Sequence, residues 1–244
     1  MNPPLQPVVR RTLVCLPGMD GSPLMFRPLV EAAPPDVDVV TIGYPPGPAN
    51  TYQQLLPQVQ AALPDARPYY LLGWSFSGPM ALLVAATRPS LLRGVVLASS
   101  FATAPVRYLP RWIRHLARPW IFRMYPATSQ LKALMGGYAT SELRALLADA
   151  HRKAGAEALA CRAREALAVD VTDALADCRV PVLYLRASAD EVVSGKCADH
   201  VRRTLPGAEI VDLRGPHLAL VTDPAASWAA LGRFMDRVEG SAGR

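Results

Sequence analysis

The stretch Gly73-Trp74-Ser75-Phe76-Ser77-Gly78 is where this sequence could do covalent chemistry. Tyr69-Tyr70-Leu71-Leu72 before it reads as a short buried strand, and Pro79 to Ala86 after it as a buried helix. A serine on a sharp strand-to-helix turn presents its hydroxyl above the sheet, provided the residues two before and two after it are small. Gly73 meets that demand, and Ser77 stands where a G-x-S-x-G pattern has its second glycine. Pro79 falls in the first helical turn, where a missing N–H costs little. A serine hydroxyl is a poor nucleophile until an adjacent base takes its proton. The imidazole of a histidine does this near neutral pH, and a carboxylate holds its tautomer. His115, His151 and His200 fall in helical segments, whereas His217 follows a strand in Arg214-Gly215-Pro216-His217. Asp190 also follows a strand, with Glu191 beside it as a second candidate carboxylate. Ser77 has Ser75 and not glycine two residues before it, so the spacing selects Ser75 as nucleophile.

The elements that must position these groups are legible as apolar runs. Strands are expected at 11–16, 37–42, 69–72, 94–98, 180–186 and 208–213, with helices at 24–33, 51–63, 79–86, 195–205 and 224–238. Asp223 is placed to cap the last helix. Short apolar strands alternating with helices imply an α/β protein with a mostly parallel six-stranded sheet and helices on both faces. In such sheets sites lie beyond the carboxyl ends of the strands. Ser75, Asp190, His217 and the loop Gly18-Met19-Asp20-Gly21 all fall at strand ends.

Residues 101–168 break the rhythm with a Pro-punctuated, helical stretch. The expected organisation is a disordered leader at 1–10, a core at 11–100 and 169–240, and a helical cap at 101–168 inserted in that core. A single helix from Tyr108 to Tyr125 would set Arg107, Arg111, Arg114 and Arg118 in one stripe.

The order Ser75, Asp190, His217, each at a strand end, resembles the α/β-hydrolase arrangement over residues 11–240. The chain is most similar to the small cofactor-free esterase and thioesterase branch, which includes carboxylesterases that demethylate pimeloyl-carrier-protein esters. That resemblance implies Ser75 as nucleophile, His217 as general base and then acid, and Asp190 as the orienting carboxylate. It implies an oxyanion hole from the N–H groups of Met19 and Phe76. Trp74, Trp112 and Trp120 are the expected substrate-binding side chains. Pro17-Gly18 replaces the family's usual His-Gly. The strands that precede the first core strand in many members are not evident. The implied activity is cleavage of a carboxylic ester or thioester through an acyl-enzyme, with no cofactor. An acyltransferase using the same three residues, or a non-catalytic binding member of the fold, are the alternatives. Dehalogenases and epoxide hydrolases of this fold use an Asp nucleophile, against which Ser75 argues.

Composition narrows the remaining classes. Of 244 residues 51% are hydrophobic, enough for a substantial core, and no apolar run reaches the roughly 18 residues of a membrane span. The opening Met1-Asn2-Pro3-Pro4-Leu5-Gln6-Pro7 lacks the basic-then-apolar layout of a signal peptide, so a cytoplasmic location is expected. Cys15, Cys161, Cys178 and Cys197 are scattered, which suits buried reduced thiols better than disulfides or a metal site. No Walker loop or nucleic-acid motif is present. The net charge of +6 is carried by residues 101–170, which hold eleven Lys/Arg against five Asp/Glu. Such a segment would suit an acidic acyl carrier, a coenzyme A ester or an anionic lipid surface. With only three lysines in the chain, the arginines also fit a compositional bias.

Overall fold

The computed structural model describes residues 10–105, 111–124 and 131–242. The expected leader lies almost wholly outside the described residues, as does Arg107.

Six parallel strands form one sheet: β1 (Arg11–Leu16), β2 (Val37–Thr41), β3 (Tyr69–Trp74), β4 (Leu92–Ala98), β5 (Val182–Ala187) and β6 (Glu209–Leu213). Their spatial order is β2-β1-β3-β4-β5-β6, so the site-bearing β3 is central. Parallel neighbours need crossover connections, here mostly helical. These are α1 (Arg27–Glu31), α2 (Tyr52–Ala61) and α3 (Ser77–Ala86), then α4 (Pro119–Met124), α5 (Leu131–Met135), α6 (Ser141–Ala166) and α7 (Thr172–Ala176) after β4, and finally α8 (Lys196–Thr204), α9 (Ala219–Thr222) and α10 (Pro224–Ala242). Side chains alternate across each strand, and both faces are buried. Leu13, Cys15 and Leu72 face a core completed by Leu29 of α1 and Leu231 and Phe234 of α10. Val14, Leu16 and Leu71 face a second core with Leu55 of α2, Met80 of α3 and Val201 of α8. All four cysteines are buried, and none forms a disulfide.

Helix starts follow local chemistry. Thr51 caps α2 in a capping box with Gln54, and Asp223 accepts from the N–H of Ala226 in the first turn of α10. Two expected helices are broken. Residues 24–33 divide into a 3₁₀ turn (Pro23–Phe26) and α1, and Ser22 rather than a helix-interior residue supplies the cap. The single helix expected over Tyr108–Tyr125 is also not formed. Arg111–Leu116 is a 3₁₀ helix, and α4 begins anew at Pro119. Proline lacks the N–H that would continue a helix and disfavours helical backbone at the residue before it. The four-arginine stripe is therefore corrected. Arg111 and Arg114 are one 3₁₀ turn apart, but Arg118 lies beyond its end and donates to the His115 carbonyl oxygen.

Candidate active site

Gly73 and Gly78 make the turn between β3 and α3 possible. A Cβ at Gly73 would lie 2.3 Å from the Ser77 carbonyl oxygen, and one at Gly78 would lie 1.8 Å from Ser100 Oγ. Between them Ser75 takes φ 50°, a left-handed conformation uncommon for a residue with a side chain. Its N–H donates to Ala98 at the end of β4, and its carbonyl accepts from Ser100 Oγ, so the strained peptide is held on both sides.

His217 Nε2 lies 2.9 Å from Ser75 Oγ, and His217 Nδ1 lies 2.8 Å from Asp190 Oδ2. A carboxylate only accepts, so Nδ1 carries the proton toward Asp190, which leaves Nε2 to accept from the serine. The other carboxylate oxygen of Asp190 accepts from the N–H groups of Val192 and Val193 at 2.8 and 2.7 Å. Glu191, the alternative carboxylate, is exposed and has no part in this chain of bonds. Both His217 and Asp190 are buried. The His217 loop is tied from outside the core: Leu218 N–H donates to the Leu134 carbonyl of α5.

The loop after β1 closes the other side. A Cβ on Gly18 would stand 3.9 Å from that of Ser75, so this backbone passes directly beside the serine. Gly21 N–H donates to the Gly18 carbonyl at 3.0 Å, making a tight turn around Met19 and Asp20. Phe76 sits at the amino end of α3, its ring stacked on Tyr52 at 4.7 Å and its carbonyl accepting from the Tyr52 hydroxyl. A cavity opens between these groups, lined by Gly18, Met19, Trp74, Ser75, His151 and His217 and by the apolar side chains of Met25, Leu134, Leu147 and Leu218.

Trp74 is buried in that wall, packed against Phe26. Trp112 and Trp120, the other expected binding side chains, are 61% and 55% exposed and are not brought to this cavity. They belong to the two short helices into which the expected single helix divides.

Four residues that sequence reasoning passed over stand at or behind the wall. His151 reaches the cavity from α6, its Nδ1 bonded to the Leu147 carbonyl. Asp20 is buried, and desolvation pushes its carboxyl up despite a hydrogen bond from Ser22 N–H and the nearby charges of His151 and Arg162. Arg162 is wholly buried, and burial lowers its pKa. Its Nε and Nη2 donate to Asn50 Oδ1. The one sequence signal for Arg162 is its setting in Ala158-Leu159-Ala160-Cys161-Arg162-Ala163, a run too apolar for a solvated arginine. Among the described residues no three His, Cys, Asp or Glu side chains gather as a metal site requires, and no helix is long and apolar enough to cross a membrane.

A serine, an imidazole and a carboxylate in hydrogen-bonded series beside an apolar cavity can attack a polarised carbonyl. Comparison with known proteins agrees with that class of chemistry. The model of the alpha/beta hydrolase family matches residues 13–231. A pimeloyl-[acyl-carrier protein] methyl ester esterase of Neisseria meningitidis is 31% identical over 193 residues, covering 74% of this chain and 72% of its own. A pyrrolizixenacetamide deacetylase of Xenorhabdus hominickii is 26% identical over 182 residues, 70% of this chain and 68% of its own. The solved esterase of Exiguobacterium antarcticum superposes with a TM-score of 0.79 over 93% of this chain and 92% of its own, at 14% identity, a likeness of fold alone.

Proposed function

The chain belongs to the alpha/beta hydrolase family, and from that premise we propose that it is a cofactor-free serine esterase or thioesterase working through an acyl-enzyme. The observation that carries this reading is the unbroken series Ser75 Oγ, His217 Nε2, His217 Nδ1, Asp190 Oδ2, with both links below 3 Å.

Ser75 Oγ attacks the substrate carbonyl carbon while its proton passes to His217 Nε2. Asp190 stabilises the imidazolium without taking the proton. The carbonyl oxygen becomes an anion, received by the N–H groups of Met19 and Phe76; losing one such donor typically costs about 10²–10³ in rate. The tetrahedral species collapses, and the leaving alcohol or thiol departs with the proton from His217. Water then attacks the acyl-Ser75 ester, His217 accepting its proton. The second tetrahedral species expels Ser75 Oγ, which regains a proton, and the carboxylic acid is released.

Leu134, Leu147 and His151, all between β4 and β5, line the cavity, which supports reading residues 101–168 as a cap that shapes the acyl subsite. The mostly apolar wall favours an aliphatic acyl chain. The Neisseria relative is named for a methyl ester borne on an acyl carrier protein, and a carrier-borne or coenzyme A ester is a candidate substrate here. The test is a panel of p-nitrophenyl esters, methyl esters and acyl thioesters, with wild type and Ser75→Ala side by side. Turnover by wild type and none by Ser75→Ala is expected. Equal turnover by both would refute the serine mechanism.

A further inference from the structure

Arg162 is entirely buried, and its acceptors include the loops at the strand ends. A buried guanidinium is tolerated only when its donors are used. Nη1 donates to the Met19 carbonyl at 2.9 Å and Nη2 to the Pro45 carbonyl at 3.0 Å. Nε and Nη2 share Asn50 Oδ1 at 2.9 and 2.7 Å. Asn50 is itself fully used, its amide donating to the carbonyls of Pro45 and Gly47. The guanidinium also lies 5.5 Å from the centre of the Tyr44 ring. Gly21 leaves room for it: a Cβ there would come within 2.2 Å of Nη1.

These contacts join α6 to the loop after β1 and the loop after β2 in one closed network. Their consequence for Met19 follows from peptide geometry. The Gly18 carbonyl and the Met19 N–H belong to one planar trans peptide and point in opposite directions. The carbonyl is committed to Gly21 N–H inside the turn, so the Met19 N–H points out of it. The next peptide is fixed by Arg162 through the Met19 carbonyl. Without that second anchor the flexible Gly18 would let the pair of peptides turn.

We propose that Arg162 is a positioning residue for the oxyanion site, holding the Gly18–Gly21 turn so that the Met19 N–H faces the carbonyl under attack by Ser75. It rests on the reading of Ser75 as nucleophile and Met19 N–H as oxyanion donor. Arg162 acts through the Met19 backbone and does not touch substrate.

The test uses Arg162→Lys, which keeps the charge but cannot grip three acceptors as a fork. The second variant, Asn50→Ala, frees the guanidinium while leaving it in place. Each is assayed below its own melting midpoint on a p-nitrophenyl ester. Each is also titrated with an alkyl trifluoromethyl ketone, whose hemiketal with serine carries an oxyanion. A misplaced donor should lower kcat by about 10²-fold in Arg162→Lys, because the contact forms only in the transition state. Ketone affinity should fall by a similar factor, with KM nearly unchanged. Asn50→Ala should show the same split, more weakly, and carries the test if Arg162→Lys does not fold. A folded variant with wild-type kcat and ketone affinity, or a loss confined to KM or to melting temperature, overturns the proposal. Ser75→Ala run in parallel separates the two levels. If it stays active the serine mechanism fails, whereas an inactive Ser75→Ala beside a fully active Arg162→Lys removes only the positioning role.

Discussion

The hydroxyl of Ser77 donates to the carbonyl oxygen of Pro17, joining the first turn of α3 to the loop after β1. Ser77 occupies the position where the elbow pattern has glycine, and Tyr44 OH lies 2.5 Å from Ser77 Oγ. The departure from the pattern thus supplies a buried strut behind the nucleophile. Ser77→Ala should retain activity within about tenfold of wild type while losing about 1–3 kcal/mol of stability, because a buried partner is left unsatisfied. A fluorophosphonate followed by peptide mass spectrometry should label Ser75 alone. Label on Ser77 would reverse the assignment.

Ser75 bears a strained backbone that its chemistry requires. Ser75→Ala and Ser75→Gly both delete the hydroxyl and should both abolish turnover. Only glycine relieves the left-handed φ, worth about 1–3 kcal/mol, against an entropy difference of about 0.4–1 kcal/mol in the unfolded chain. Ser75→Gly should therefore be about 1 kcal/mol more stable than Ser75→Ala in urea unfolding. Equal stability would mean the turn is not strained in solution.

His217 must be neutral to accept the serine proton. His217→Ala should lose nearly all turnover and also some stability, because a buried imidazole is removed and the Asp190 carboxylate loses a partner. Retention of more than a few per cent of kcat would exclude it as the base.

Asp20 gives stability its own pH dependence. Burial raises its carboxyl pKa above the ordinary carboxylate value in the folded chain, so the folded state holds the proton more tightly than the unfolded state does. Between the unfolded value and the higher folded one, stability falls as pH rises. Asp20→Asn removes that slope. Relative to wild type the variant should gain stability as pH is raised from the unfolded value toward the folded one, with no further gain above it, as read by urea unfolding at a series of pH values. A difference independent of pH would show that the carboxyl is not shifted upward.

Gly78 and Ser100 are in closest approach behind the elbow. Gly78→Ala should cost at least about 1–3 kcal/mol through overpacking, and should slow turnover because Ser100 also braces the Ser75 carbonyl. Gly137→Ala, with nothing within 4 Å, is the neutral comparison. Equal melting temperatures for the two variants would show that the elbow tolerates a side chain.

Local pattern was enough to read the sheet and to place Ser75 and His217 at strand ends. Six apolar runs of strand length mark the six strands, because a parallel strand covered on both faces must be apolar almost throughout. Ser75, Asp190 and His217 each follow such a run, and the carboxyl ends of parallel strands share one edge. The choice between Asp190 and Glu191 was not local. Adjacent residues point in different directions, and the bonds that Asp190 accepts from Val192 N–H, Val193 N–H and His217 Nδ1 separate them. The arginine stripe failed because an α-helical count was applied to a segment that forms a short 3₁₀ helix ending at Leu116, before Arg118 and Pro119. Arg162 was hidden for a different reason. In the sequence it is one of eleven basic residues in a charged segment. Its partners, Met19, Pro45 and Asn50, are more than a hundred positions away. A charge becomes part of a site only when the fold removes water from it and brings acceptors to it. That is a property of packing between distant segments, and no spacing along the chain encodes it.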